Sequence, residues 1–93
     1  GKFWEMHDKI FAANGAGTMS VDKWKAEAKN LKLNTSKFND CLDSGKYASE
    51  ISAEEQAALV AGVEGTPATF VNGELVSGAV PYAQFKQIID SYL

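Results

Sequence analysis

The sequence predicts an α/β chain in which three or four helices precede a β-hairpin and a closing helix. Two observations support this order. Apolar residues in the first part of the chain recur at the three- and four-residue spacing of helix faces. Further along, that spacing gives way to a β-branched and aromatic run followed by Asn72-Gly73, a pair that strongly favours the tight turn of a hairpin.

Two helices are predicted before residue 34. The first covers Lys2 to Asn14 and stops in the segment Asn14 to Gly17, which accepts the left-handed conformation of a helix end. The second begins after Ser20, whose hydroxyl can accept from free backbone N–H groups, and ends within Asn30 to Leu33. Their predicted inward faces repeat at helical spacing: Phe3, His7, Ile10 and Phe11, then Val21, Trp24, Ala28 and Leu31.

A short third helix and a longer fourth helix follow. The third is capped by Asn34 or Thr35 and is broken at Ser44-Gly45. The fourth covers Lys46 to Gly62; a capping-box pattern at Ser52 leaves open a division into two pieces, and we favour one helix. The side chains expected to face inward are Phe38, Cys41 and Leu42, then Tyr47, Ile51, Ala58 and Leu59.

The hairpin is predicted from Ala68–Val71 and Leu75–Ser77, and Pro81 suits the first turn of the closing helix. A two-stranded hairpin is marginally stable by itself in water. We therefore expect one of its edges to need a partner strand that this sequence does not encode. The closing helix has the apolar face Tyr82, Phe85, Ile88, Ile89 and Tyr92. We expect most aromatic residues to be core, with a minority lining a groove: Trp4, Phe11, Trp24, Phe38, Phe70, Phe85 and Tyr92.

Composition excludes several functions. The net charge is −3, whereas nucleic-acid binding needs a cationic surface, so we expect no nucleic-acid partner. The longest apolar run, Ala57 to Val63, is far shorter than the ~20 residues of a membrane span. The single histidine, His7, has no second ligand at a suitable spacing, so we predict no metal and no cofactor. Asp40 and Asp43 flank Cys41 and disfavour a thiolate, so we predict that this cysteine is structural.

The segment Val63 to Gly73, with Gly-Thr-Pro at its centre, resembles the corresponding segment of thioredoxin-fold proteins, and most closely that of the bacterial DsbA-like branch. The resemblance continues through Gly78 to Tyr82 into the last helix. The segments Gly1 to Asp8 and Phe38 to Tyr47 look like the helical insertion of that family, in the same order. The resemblance thus covers nearly all of the chain. The proteins that the chain resembles are thiol–disulfide oxidoreductases.

The resemblance implies an incomplete thioredoxin-like fold. Residues 1–62 would be the helical insertion, and residues 63–93 the C-terminal ββα part. In this family a Cys-x-x-Cys pair exchanges disulfides beside a cis-proline, whose place Pro67 takes here. Thr66 and Pro67 would then bind the backbone of unfolded or cysteine-containing protein substrates. Members work in the bacterial periplasm or another extracytoplasmic compartment, where disulfides persist.

The sequence departs from the family pattern in its catalytic residues. Cys41 is the single cysteine, and the family's first strands and its Cys-x-x-Cys lie upstream of the position of Gly1. We therefore expect the C-terminal part of an oxidoreductase, with no catalytic residue here and no dithiol catalysis by this chain alone; whether it is an enzyme stays open. The alternative is a non-catalytic module that binds a peptide, or a second copy as a homodimer, through the hairpin edge. A third interpretation is a truncated polypeptide without a function of its own.

Overall fold

The computed structural model describes residues 1–93 and contains five helices and one two-stranded antiparallel sheet. By compactness the chain divides into a first unit, Gly1–Ala48, and a second unit, Ser49–Leu93. The division at residue 62 that the resemblance implies separates parts of a family fold and stays a prediction. The elements are α1 (Phe3–Ala16), α2 (Val21–Asn30), α3 (Thr35–Asp43), α4 (Ala48–Val60), β1 (Ala68–Val71), β2 (Glu74–Ser77) and α5 (Tyr82–Ser91).

Helix α1 is longer than the sequence predicts. We placed its end at Asn14, and this was wrong, because Gly15 and Ala16 continue the helix. The left-handed residue is Gly17, with φ at 68°. Its N–H donates to the carbonyl of Asn14 at 3.2 Å, and the next residue bonds back to the carbonyl of Ala13 at 2.9 Å. These paired bonds satisfy the last carbonyls, so the second glycine of the segment terminates the helix and the first does not.

The starts of α2 and α3 follow the prediction. The hydroxyl of Ser20 accepts a hydrogen bond of 3.0 Å from the N–H of Lys23. The side-chain oxygen of Asn34 accepts one of 3.0 Å from the N–H of Lys37, so the cap of α3 is Asn34 and Thr35 is the first helical residue. Each cap satisfies a donor that has no partner within its helix, and this fixes where the helix begins.

A buried carboxylate joins α1 to α2. The side chain of Glu27 is 7% exposed, and it lies 3.0 Å from the ammonium of Lys23 and 3.5 Å from that of Lys9 on α1. The buried apolar residues near this contact are small, Ala13 on α1 and Ala28 on α2. The close approach of the two helices therefore depends on two alanines and on a paired charge rather than on large side chains.

The fourth helix is continuous. It begins at Ala48 instead of Lys46, and Ser52 lies inside it, so the prediction of one helix is confirmed. Its predicted inward face is wrong at Tyr47, Ile51 and Leu59, which are all more than half exposed. The physical reason is that no other element of the second unit packs broadly against α4.

The hairpin forms as the sequence predicts, with β1 and β2 paired in antiparallel register along their full length. Asn72 and Gly73 both have positive φ, 48° and 85°, as a type I′ turn requires. Strand β2 begins one residue before the predicted start. Val76 is the buried residue of the sheet, and the hydroxyl of Tyr92 at the end of α5 reaches back to Glu74.

The prediction of an aromatic core is wrong for several residues. Trp4, Phe11, Phe70 and Tyr92 are between 46% and 68% exposed, while Trp24, Phe38 and Phe85 are half-buried. The buried apolar core consists of Ala13, Ala28 and Val76. An aromatic side chain is fully buried only where another element covers it, and outside the hairpin the broad packing is between α1 and α2 and between α2 and α3.

Candidate substrate-binding site

The loop between α4 and β1 carries the two residues that the resemblance assigns to substrate binding. The peptide bond between Thr66 and Pro67 is cis. The carbonyl of Pro67 accepts a hydrogen bond of 2.8 Å from the N–H of Gly78. This bond extends the pairing of the hairpin by one step beyond Ala68, so the sheet holds Pro67 in place.

The peptide groups before Pro67 are free. The backbone N–H and C=O groups of Glu64, Gly65 and Thr66 form no hydrogen bond with other backbone groups. Thr66 is exposed and its hydroxyl has no partner in the chain. Free peptide groups next to a strand can accept an added extended chain, as at the edge of a sheet.

An open cleft of about 190 Å³ lies beside this segment. It lies between the loop and the end of β2, and Pro67 and Gly78, which are joined by that hydrogen bond, both line it. Glu64 is the one charged residue at the cleft, and its carboxylate takes part in no ion pair. We call this surface the ledge cleft; its lining residues are Glu64, Gly65, Thr66, Pro67, Ser77 and Gly78.

Cys41 lies in the other unit, on α3. Its thiol is free and half-buried. The carbonyl of Cys41 accepts from the hydroxyl of Ser44 at 3.3 Å, a local bond at the end of the helix. Nothing in this arrangement supplies a second thiol, and the structural role that we assign to Cys41 stays a prediction.

His7 belongs to a series of aromatic rings along α1. Its ring centroid lies 4.6 Å from that of Phe11 and 5.3 Å from that of Trp4. Its Nδ1 lies 3.0 Å from a carboxylate oxygen of Asp8. The imidazole therefore packs between rings at the surface, and no group of three or more potential metal ligands occurs in the chain.

The first unit contains an apolar groove; the sequence predicted that a minority of the aromatic side chains line a groove and did not give its place. The groove has a volume of about 490 Å³ and is lined by residues that we had assigned mainly to a buried face. The sequence did carry a signal for the place of this groove, because the apolar stripe of α1 is wider than one packed neighbour can cover. Its lining residues are Gly1, Lys2, Phe3, Met6, His7, Ile10, Phe11, Leu33 and Phe38.

The family profile of the DSBA-like thioredoxin domain matches residues 1–90. The chain belongs to this family. The predicted family and the thioredoxin-like α/β fold class are thereby confirmed, with helices first and the ββα part last. No helix of the structure combines the length and the apolar character needed to cross a bilayer.

Two relatives share a segment with this DSBA-like chain. It is 33% identical over 79 residues to the Na(+)/H(+) antiporter NhaA 1 of Salinispora arenicola, a match covering 85% of the chain and 12% of the relative. It is 34% identical over 82 residues to the Na(+)/H(+) antiporter NhaA 3 of Salinispora tropica, covering 88% of the chain and 12% of that relative. The chain thus spans about an eighth of the length of these relatives. No solved structure matches it.

Proposed function

We propose that this chain is the substrate-holding part of a thiol–disulfide oxidoreductase of the DSBA-like family. The ledge cleft binds an extended segment of a protein substrate through the free peptide groups next to Pro67. Residues 1–62 are the helical insertion that the family resemblance assigns. The substrates are unfolded or cysteine-containing proteins, and the compartment is the bacterial periplasm or another extracytoplasmic space.

The observation that carries this proposal is the state of the backbone at Gly65 and Thr66. Their donors and acceptors are unsatisfied by the chain, while Pro67 directly after them is fixed by its bond from Gly78. A segment that is held at one end and carries open hydrogen-bonding groups loses less conformational entropy when a peptide binds than one that is free at both ends. The family match over residues 1–90 supports assigning this segment to the substrate.

The exchange chemistry needs a second cysteine. Disulfide exchange proceeds by attack of a thiolate on a disulfide, with release of the second sulfur as a thiolate, and a dithiol enzyme then resolves the mixed disulfide with its other cysteine. Cys41 is the single cysteine here. We therefore propose that the chain alone has no dithiol activity, and that catalysis requires a Cys-x-x-Cys segment elsewhere in the polypeptide.

A peptide titration followed by ¹H–¹⁵N nuclear magnetic resonance tests the ledge cleft. A neutral extended peptide of alternating valine and serine should shift the amide signals of Gly65, Thr66 and Gly78 and leave that of Gly17 in place. The control is the same peptide with alternate backbone nitrogens methylated, which removes donors from one edge. Equal shifts with both peptides, or shifts confined to other residues, would contradict backbone pairing at the ledge.

A second candidate function is self-association through the hairpin. The sheet has two strands, so each has an outer edge without a partner, and Phe70 on β1 is 47% exposed. Edges of this kind pair with other chains. Sedimentation equilibrium of the chain should then show a dimer at millimolar concentration, and β1 amide protons should exchange more slowly as concentration rises.

The sodium/proton exchange in the relatives' names is not proposed for this chain. The matching segment is 12% of each relative, and the family match over residues 1–90 favours disulfide exchange.

Insulin reduction is the assay that tests whether the chain has disulfide-exchange activity. We expect no turnover by the chain, and turnover that Cys41→Ser abolishes would show that one cysteine suffices and would contradict the proposed need for a second cysteine.

A further inference from the structure

The two units carry opposite charge. The first unit contains eight lysines and six acidic residues, whereas the second contains six acidic residues and a single lysine, Lys86. That lysine is already paired with Asp90 one helical turn away. The unit that carries the ledge cleft therefore has no free basic side chain and an excess of carboxylates.

At the ledge cleft itself the charge is concentrated in one residue. Glu64 lies two residues before Thr66 and is exposed, and it has neither an ion-pair partner nor a hydrogen-bond partner. The other residues that line the cleft are neutral. By contrast, the carboxylate of Glu74 at the far end of the hairpin accepts a hydrogen bond from Tyr92 at 3.0 Å.

We propose that Glu64 is a specificity-determining residue, which selects protein substrates carrying a lysine or arginine next to the segment held at the ledge cleft. This inference rests on the proposed substrate binding at that cleft. The free carboxylate attracts a cationic side chain of the bound peptide and disfavours an acidic one, because no protein cation neutralises it. The acidic residues of the second unit add attraction at longer range.

The size of the effect follows from the exposure of Glu64. Exposed ion pairs contribute little to the free energy of binding. A contribution of that size makes the Kd of a lysine peptide about two- to fivefold lower than that of its glutamate counterpart. Salt screens such pairs, since the Debye length falls from about 30 Å at 0.01 M to about 8 Å at 0.15 M ionic strength. The preference should therefore shrink as sodium chloride is raised.

The experiment compares two extended peptides of the same length, one with two lysines and one with two glutamates among alanines and serines. Each is titrated into the intact chain, and Kd is read from the amide shifts of Gly65, Thr66 and Gly78. The variant Glu64→Gln keeps the size of the side chain and removes its charge. Glu54→Gln on α4 is the matched control, because it removes the same charge from outside the cleft.

The expected result is tighter binding of the lysine peptide, a preference that Glu64→Gln removes for the most part and that Glu54→Gln leaves nearly unchanged. Equal binding of both peptides to the unmodified chain overturns the role of Glu64 and leaves the proposed substrate binding standing. A preference that falls equally in both variants overturns it too, since the charge of the whole unit would then be responsible. Absence of shifts at all three amides with either peptide overturns both proposals.

Discussion

The hydroxyl of Tyr92 donates a hydrogen bond of 3.0 Å to the carboxylate of Glu74 and so joins the residue after α5 to the first residue of β2. The bond, with a smaller contribution from burial and from the negative charge, raises the pKa of Tyr92 above its ordinary value of 10.0. This hydrogen bond ties the closing helix, α5, to the hairpin that holds Pro67.

Alkaline pH should weaken the hydrogen bond between Tyr92 and Glu74. A tyrosine whose pKa is raised by folding stabilises the fold below the unfolded pKa of about 10, and the contribution is lost as the pH rises through the folded value. Tyr92→Phe should therefore lower stability slightly at neutral pH and flatten its decline above about pH 10. Denaturant unfolding across this range measures both, and Tyr82→Phe, which removes an exposed hydroxyl without a partner, should change neither.

Acid should weaken the contact between α1 and α2. The hydrogen bond from Lys23 lowers the pKa of Glu27 below 4.5, and bonds or charges from Asn30 and Lys9 act in the same direction. A lowered pKa gives stability that is present above the unfolded value and is lost as the pH falls through the folded value. Glu27→Gln should reduce stability at pH 7 and reduce its loss on acidification, as followed by circular dichroism. Glu55→Gln, on the exposed side of α4, should behave like the unmodified chain.

Val76 should be the most sensitive apolar position of the hairpin. It is 4% exposed and is the buried residue of the sheet. Val76→Ala should cost about 1–3 kcal/mol in the free energy of unfolding, since two methyl groups are removed and a cavity remains. Val60→Ala removes the same groups from a site that is 89% exposed and should cost far less. Equal losses in the two variants would show that the hairpin has no core of its own.

Replacing glycine by alanine should change the stability in opposite directions at the two Asn-Gly pairs. Gly15 lies inside α1 with open space around its Cα, so Gly15→Ala should stabilise the chain by up to about 1 kcal/mol through helix propensity. Gly73 has φ at 85°, so Gly73→Ala should destabilise by about 1–2 kcal/mol although the space beside it is also open. Thermal unfolding of both variants checks the signs, and destabilisation by Gly15→Ala would contradict the length of α1.

Local signals in the sequence predicted most of the fold. The caps at Ser20 and Asn34, and the turn at Asn72, are each decided by a few neighbouring residues. The cap of α2 and the turn lie where they were predicted, and the cap of α3 is one of the two residues that the sequence left open, Asn34 and Thr35. The end of α1 was missed because two glycines in succession both permit a stop, and only the backbone geometry selects Gly17.

Burial was less predictable than secondary structure. Periodicity identifies which side chains share a face, and it does not say whether another element covers that face. The faces of α1 and α4 are apolar, yet Phe11 and Ile51 remain more than 60% exposed. At the candidate site, Thr66 and Pro67 came from the family resemblance. The isolated charge of Glu64 became visible once the structure showed which residues line the cleft.

The connections of the first unit have a consequence for how the protein forms. Four residues separate α1 from α2, and four separate α2 from α3. Neighbouring helices therefore meet after closing only short loops, and chains dominated by such local contacts fold within microseconds to milliseconds. Because synthesis proceeds from the N-terminus, we expect α1 to α3 to assemble while the segment that ends in the hairpin is still being translated. The residues of the ledge cleft would then be the later part of the chain to take shape.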